Sequence, residues 1–186
     1  KHHGLNFKGI LRALYKDVMA RKFVEGGSTL TQQLARNLFL DKRKKIDRKL
    51  SEMILALQIE RKYTKTEILR MYLNQVYWGH NAYGIESASN MFFGKNARNL
   101  TLAEAAVLVG MLPSPETYSP FKNYNLSKKR QKIVLFRMAE LGIITKQMAR
   151  TAYNEKLVFK KRKVLRYKAP YFTSYVVQRL IGMYGK

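Results

Sequence analysis

The sequence predicts an almost all-α fold. Apolar residues recur at three- and four-residue spacing in four segments, strand-type alternation is scarce, and Ser/Thr-x-x-Glu capping boxes stand where two helices should begin. The four segments are "FKGILRALYKDVMA", "STLTQQLARNLFL", "KIDRKLSEMILALQIE" and "LTLAEAAVLVGML". Thr64 with Glu67 and Thr101 with Glu104 predict helix starts just after each threonine. "MLPSPETYSPF" then breaks the pattern with three prolines, so a long irregular connection precedes a helix over about Ser127 to Leu141. A short helix follows Thr145, and a last one follows Pro170. Between them, Leu157 to Phe159 alternates weakly and is expected to be a short extended piece. Usual helix and loop lengths give roughly eight or nine helices.

A chain of 186 residues supports one domain with a real core, divided into two lobes. Lys and Arg number 36 against 12 Asp and Glu, a net charge of +24, which calls for a phosphate-bearing polyanion or an anionic membrane surface as partner. Because 46% of residues are hydrophobic, with 12 Tyr and 9 Phe, the charge belongs to a folded domain and not to a disordered tail. The absence of cysteine removes disulfides, thiolate catalysis and cysteine-ligated metal centres. No run approaches the ~20 apolar residues that cross a bilayer, and the N-terminus lacks a signal-peptide pattern, so any anchor is expected outside this chain.

Chemistry concentrates between Val24 and Lys62. Gly26 and Gly27 can take positive φ, and Ser28 and Thr29 follow as hydroxyls at a helix N-terminus, where unpaired N–H groups favour a phosphate or pyrophosphate. The competing reading is a glycine turn with a serine cap. Gln33 and Arg36 share a helix face with Thr29 and extend a polar strip. In the next helix, at about 100° per residue, Lys45, Arg48, Lys49 and Glu52 fall on one charged stripe, with Ala56 and Glu60 continuing it. Ile46, Leu50, Met53, Ile54 and Leu57 gather on another side, expected to face the core. The bland alternative is a solvated face of Lys-Glu pairs worth about 0.2–0.5 kcal/mol each. A carboxylate between Arg48 and Lys49 keeps its anionic form and makes a poor general acid. Its expected work is to coordinate a divalent cation such as Mg or Mn, or to position the cations around a leaving pyrophosphate, while another group acts as base.

At this point the residues resemble the peptidoglycan glycosyltransferase domain, glycosyltransferase family 51, of class A penicillin-binding proteins and monofunctional transglycosylases. The resemblance runs from Lys1 to about Met138 as five collinear motifs. The first, E-D-x-x-F-x-x-H-x-G, survives as His2 and Gly4; the second, G-G-S-T-I/L-T-Q-Q, is complete at Gly26 to Gln33; the third, R-K-x-x-E-x-x-x-A-x-x-x-E, is complete from Arg48 to Glu60. "YLNQVYWGHNAYGIESASNMFFGK" resembles the fourth, and "LTLAEAAVLVGMLPSPETYSP" with "KKRQKIVLFRM" the fifth.

The resemblance implies a lysozyme-like fold of two helical lobes around an extended cleft. It implies polymerisation of lipid II at the outer face of the cytoplasmic membrane by a single inverting displacement that expels polyprenyl pyrophosphate. It makes Glu52 the family's second essential Glu. It assigns Arg36 and Lys49 to the donor phosphates and places Ser28, Thr29, Gln33 and Gly27, with Arg48, around the donor pocket. Lys44 stands where an Arg is common, and its ammonium cannot make a bidentate fork, although Arg43 is adjacent. The family's base, the Glu opening the first motif, would lie ahead of Lys1, with His2 as its neighbour; the membrane anchor would likewise lie upstream. "APYF" after Lys168 resembles the linker to a transpeptidase domain, so residues 160–186 are expected to lead toward one in the parent chain.

The remaining features also admit ordinary roles. His2, His3 and His80 are too scattered for a metal cluster. Tyr72, Tyr77, Trp78, Tyr83, Phe92 and Phe93 suit core packing better than sugar stacking. "LNFKGILRALYKDVMARKF" fits either a membrane-surface helix or a core-facing one. A nucleic-acid binder would account for the charge but not for Glu52 inside a cation stripe, and no recognition helix or stacking platform is present. A lysozyme-like hydrolase would need a Glu in an apolar pocket, the opposite of the surroundings of Glu52.

Overall fold

The structure, a computed structural model, describes residues 27–39 and 45–160, together with Arg179 and Met183. The predicted helices within 1–26 and after Pro170, apart from the helical Arg179 and Met183, lie outside the described residues. Seven α-helices are described: α1 Leu30–Phe39, α2 Lys45–Lys62, α3 Lys65–Gln75, α4 Ile85–Phe93, α5 Leu102–Met111, α6 Tyr124–Glu140 and α7 Lys146–Asn154. A 3-10 turn at Ala97–Asn99 joins α4 to α5. The all-α expectation holds among the described residues, where the isolated bridge Tyr77–Tyr83 is the β-type pairing found. No described helix is long and apolar enough to cross a membrane.

Both predicted capping boxes form. Thr64 and Thr101 accept from the N–H of Glu67 and Glu104, whose carboxylates accept from the threonine N–H in return. Thr145 caps α7 in the predicted place. The prolines produce the irregular stretch, but α6 begins at Tyr124 and not near Ser127. Asn123 Oδ1 accepts from the Leu126 N–H at 3.0 Å and starts the helix three residues early. Residues 157–159 form no strand, yet their alternation is real. Leu157 and Phe159 pack inward, Val158 is exposed, and the Lys160 N–H donates to Phe92 O at 2.8 Å.

Three small cores hold these helices. One, around Leu34, Ala35, Ile59, Ile68 and Tyr72, joins α1, α2 and α3. A second gathers Trp78, Phe92, Leu108 and Met111, and a third gathers Ala106, Leu135, Ala149 and Ala152 of α5, α6 and α7. Leu73, Val76 and Leu112 pack against both the first and second.

The α2 orientation reverses the expected one. Leu50, Ile54 and Leu57 are exposed, while Glu52 is 1% and Ala56 0% exposed and Ile59 is buried. The stripe taken as the outer, ligand-facing one is the inward one, so Ala56 makes room for protein and not for a bound molecule. The wheel separates the two stripes but says nothing of which one has partners, and here the partners come from α1 and α3.

Where α3 meets α4, Gly84 sits at φ +81°, and a Cβ there would stand 2.7 Å from Asn74 O. Its own N–H donates to Val76 O at 3.1 Å. Gly84→Ala should therefore cost about 1–3 kcal/mol through strain and displacement of the α3 end, measured as the loss of unfolding free energy in urea.

Candidate active site

The start of α1 and the first turns of α2 build one polar site. Thr29 caps α1 through a reciprocal pair: its N–H donates to Gln32 Oε1 at 2.9 Å, and its Oγ1 accepts from the Gln32 N–H at 3.2 Å. This is a capping box of the Thr-x-x-Gln type. The Thr-x-x-Gln spacing carries this signature, more specific than a hydroxyl-rich helix start. It takes Thr29 out of the ligand set, since Thr29 is buried and its hydroxyl is occupied. Ser28, just ahead of the cap, is left to face α2.

Lys49 reaches across. Its Nζ donates to Ser28 Oγ at 2.8 Å and to Glu52 Oε2 at 2.9 Å. Arg48 Nε stands 3.5 Å from Glu52 Oε1, an ion-pair distance without hydrogen-bond alignment, so that N–H is buried and unpaired. Gln32 Nε2, on the facing helix, is also buried without an acceptor. Buried donors are seldom left unpaired, and two of them beside a helix start and two cations suit an anion. The cations themselves stay reachable, with Arg48 35% and Lys49 44% exposed at the side chain.

The second half of the predicted strip lies toward α3. Gln33 Oε1 accepts from the Tyr72 hydroxyl at 3.2 Å. Burial raises the Tyr72 hydroxyl above its ordinary 10.0, and the Arg36 guanidinium partly opposes that, so Arg36 is near Tyr72 and is itself exposed. Ser28, Arg48, Lys49 and Glu52 are thus brought into one cluster, with Gly27 leading into it. Gln33 and Arg36 are placed along the same helix against α3. His2 and Lys44 lie outside the described residues.

Glu60 does not close a charged stripe on the surface. It is drawn inward by Thr31 and Lys65. Glu52 is held among cations. Both its oxygens face Arg48 or Lys49, and among the described residues no three His, Asp or Glu gather.

A second polar region had no signal in local spacing. Tyr77, His80, Asn81, Glu116, Phe121 and Lys122 line a cavity of about 570 Å³. The Tyr77 hydroxyl donates to Glu116 Oε1 at 2.5 Å and the His80 N–H to the same oxygen at 2.9 Å, while His80 Nε2 pairs with Ser119 Oγ at 2.7 Å. His80 and Asn81 hold positive φ of 51° and 64°, uncommon outside glycine. The His80 ring packs edge-on to Phe92 and Phe121. The aromatic cluster divides: Tyr72, Trp78, Phe92 and Phe93 are core, whereas Tyr83 is exposed and packs on Tyr77 with centroids 5.0 Å apart.

These features define a helical domain with a polar, basic cluster around a buried carboxylate. The chain belongs to the transglycosylase family, whose description, Transglycosylase, matches residues 1–139. It is 43% identical over 176 residues to penicillin-binding protein 1F of Bacillus subtilis (strain 168), covering 95% of this chain and 24% of that protein. It is 40% identical over 185 residues to penicillin-binding protein 1A of Aquifex aeolicus (strain VF5), covering 100% and 25%. The crystal structure of penicillin-binding protein 1A from Haemophilus influenzae superposes with a TM-score of 0.59 at 26% identity, over 85% of this chain and 20% of that one. The chain spans about a quarter of the length of the curated relatives it matches. The likeness to that structure agrees with the expected lysozyme-like class.

The Tyr77–Glu116 link sets a pH dependence. The hydrogen bond from Tyr77, then the one from the His80 backbone, holds the Glu116 carboxyl below its ordinary 4.5. A carboxyl lowered in the folded state stabilises that state above its unfolded value, and the contribution fades as pH falls through the lowered one. Glu116→Gln should melt slightly lower than the parent at pH 7 and show a flatter acid limb, the two curves converging below pH 4.5. Thermal melts across pH check this.

Proposed function

We propose that this chain is a peptidoglycan glycosyltransferase domain that polymerises lipid II into β-1,4-linked glycan by displacing polyprenyl pyrophosphate with inversion. The observation that carries the reading is the Lys49 ammonium bridging Ser28 and the buried Glu52. A cation held at the start of a helix, beside unpaired buried donors, is suited to a diphosphate leaving group. Family membership supplies the reaction class.

In this reading the diphosphate of the lipid-linked donor lies against Lys49, Ser28 and the α1 start, with Arg36 further along the helix. The acceptor's 4-hydroxyl attacks C1 of the donor chain and gives its proton to a base. The new C1–O bond forms as the bond from C1 to the diphosphate oxygen breaks, and polyprenyl pyrophosphate leaves with that electron pair. Glu52 fixes the ammonium of Lys49 and the guanidinium of Arg48 where negative charge grows. The base is a separate carboxylate, that of the family's first motif, because both oxygens of Glu52 are engaged by cations. A divalent cation such as Mg or Mn would enter on the phosphates of the substrate and not on a carboxylate cage, and no step here runs through one. The substrate lies in the cytoplasmic membrane, which the +24 charge favours electrostatically; a transpeptidase domain would follow in the parent chain. A hydrolase is disfavoured because its acid needs an apolar pocket.

In a chain carrying the complete first motif, Glu52→Gln or Lys49→Ala should cut lipid II polymerisation by about 10²–10³-fold while the far-ultraviolet circular dichroism stays that of the parent. Parent rates in either variant would remove the assignment.

A further inference from the structure

The third motif ends on Glu60, far along α2 from Lys49, and nothing in the mechanism above uses it. Its side chain is only 6% exposed, and both oxygens are engaged across helix boundaries. Thr31, itself 3% exposed, donates from Oγ1 to Glu60 Oε1 at 2.5 Å, and Lys65 Nζ stands 2.5 Å from Oε2. Thr31 lies in the first turn of α1, two residues after the cap Thr29 and three after Ser28. One carboxylate therefore ties that turn to the end of α2 and to the start of α3.

Two ties now fix the α1 start against α2. Lys49 holds Ser28 from one side, through a long side chain with rotational freedom. Thr31 and Glu60 hold the turn from inside, through short side chains with little freedom. The second is the tie that can set position, since a lysine follows its partner and a buried threonine-carboxylate pair does not. The first-turn N–H groups have to point at the diphosphate to within a fraction of an ångström to bind it well.

We propose that Glu60 is a positioning residue: through Thr31 it locks the first turn of α1 in the register at which Ser28, Lys49 and the α1 amides meet one anion. It touches no substrate and acts through the helix start. The inference rests on the diphosphate reading of the site. What it requires is the bond from Thr31 to Glu60, so the donor at position 31 is the group whose removal tests it.

The test is calorimetric titration of undecaprenyl pyrophosphate in detergent, and of inorganic pyrophosphate, into the 186-residue chain, with melting curves taken in parallel. Thr31→Val keeps the volume and removes the donor, and should weaken both ligands about tenfold. Thr31→Ser keeps the donor and should bind within about twofold of the parent. Glu60→Ala should match Thr31→Val. A structural role alone would lower the melting temperature of Thr31→Val and leave the affinity of its folded fraction at the parent value, which would overturn the proposal. So would equal losses in Thr31→Ser and Thr31→Val. Binding by the parent with no change in Thr31→Val refutes the role of Glu60 alone; no binding by the parent refutes the diphosphate reading and this inference with it.

Discussion

Glu52 is a carboxylate with almost no access to water, and it has to be answered by positive charge from within the protein. Removing an ion from water costs several kcal/mol even after relaxation. Arg48 and Lys49, four and three residues back on the same helix, supply the answer, and Lys49 then finds Ser28 just ahead of α1. That single compensation sets the rotation of α2 about its axis. With Glu52 turned inward, Glu60 lies about 80° further round the same helix, close enough to the inward side to be buried by its partners. It meets Thr31 and Lys65 there. The site and the packing of the first three described helices are consequences of one buried charge.

The arrangement leaves several large apolar side chains of α2 in water. Rotating α2 the other way would cover Leu50, Ile54 and Leu57, each worth about 1.5–3 kcal/mol of transfer free energy, and would return two carboxylates to water. Sequences usually take that bargain. Here α1 and α3 present Ser28, Thr31 and Lys65 to α2, and these have no use for leucines. A local rule is broken where chemistry is concentrated, the pattern expected when stability yields to a functional site.

That conflict also marks the limit of what the residues disclose in isolation. Helix starts at Thr64, Thr101 and Thr145 are legible because a cap is a bond between residues three apart, all within one window of sequence. The Thr29–Gln32 box is equally legible, since its two residues are also three apart, although the glycines before it draw the eye to an anion instead. The membership of the site, Ser28 with Lys49 and Glu52, follows from the motifs. The direction in which α2 faces does not, because a wheel ranks stripes by composition and the outcome depends on what α1 and α3 bring. Glu116 was invisible for a related reason: its partners Tyr77 and His80 are 39 and 36 residues away, and no local period joins them.

The two polar regions share a ruler in α3. Tyr72 is buried in the core with α1 and α2 and donates to Gln33. Leu73, the next residue, packs against both that core and the one around Trp78 and Phe92. Two residues past Tyr72, Asn74 presents its carbonyl to Gly84 at a separation only glycine permits, and this fixes where the loop of Tyr77, His80 and Asn81 closes. A shift of α3 along its axis would move Gln33 through Tyr72 and the His80 loop through Gly84 in the same step. Small cores stitched by shared residues make this coupling stronger than one large core would, since no bulk of independent packing lies between the two regions to absorb the movement.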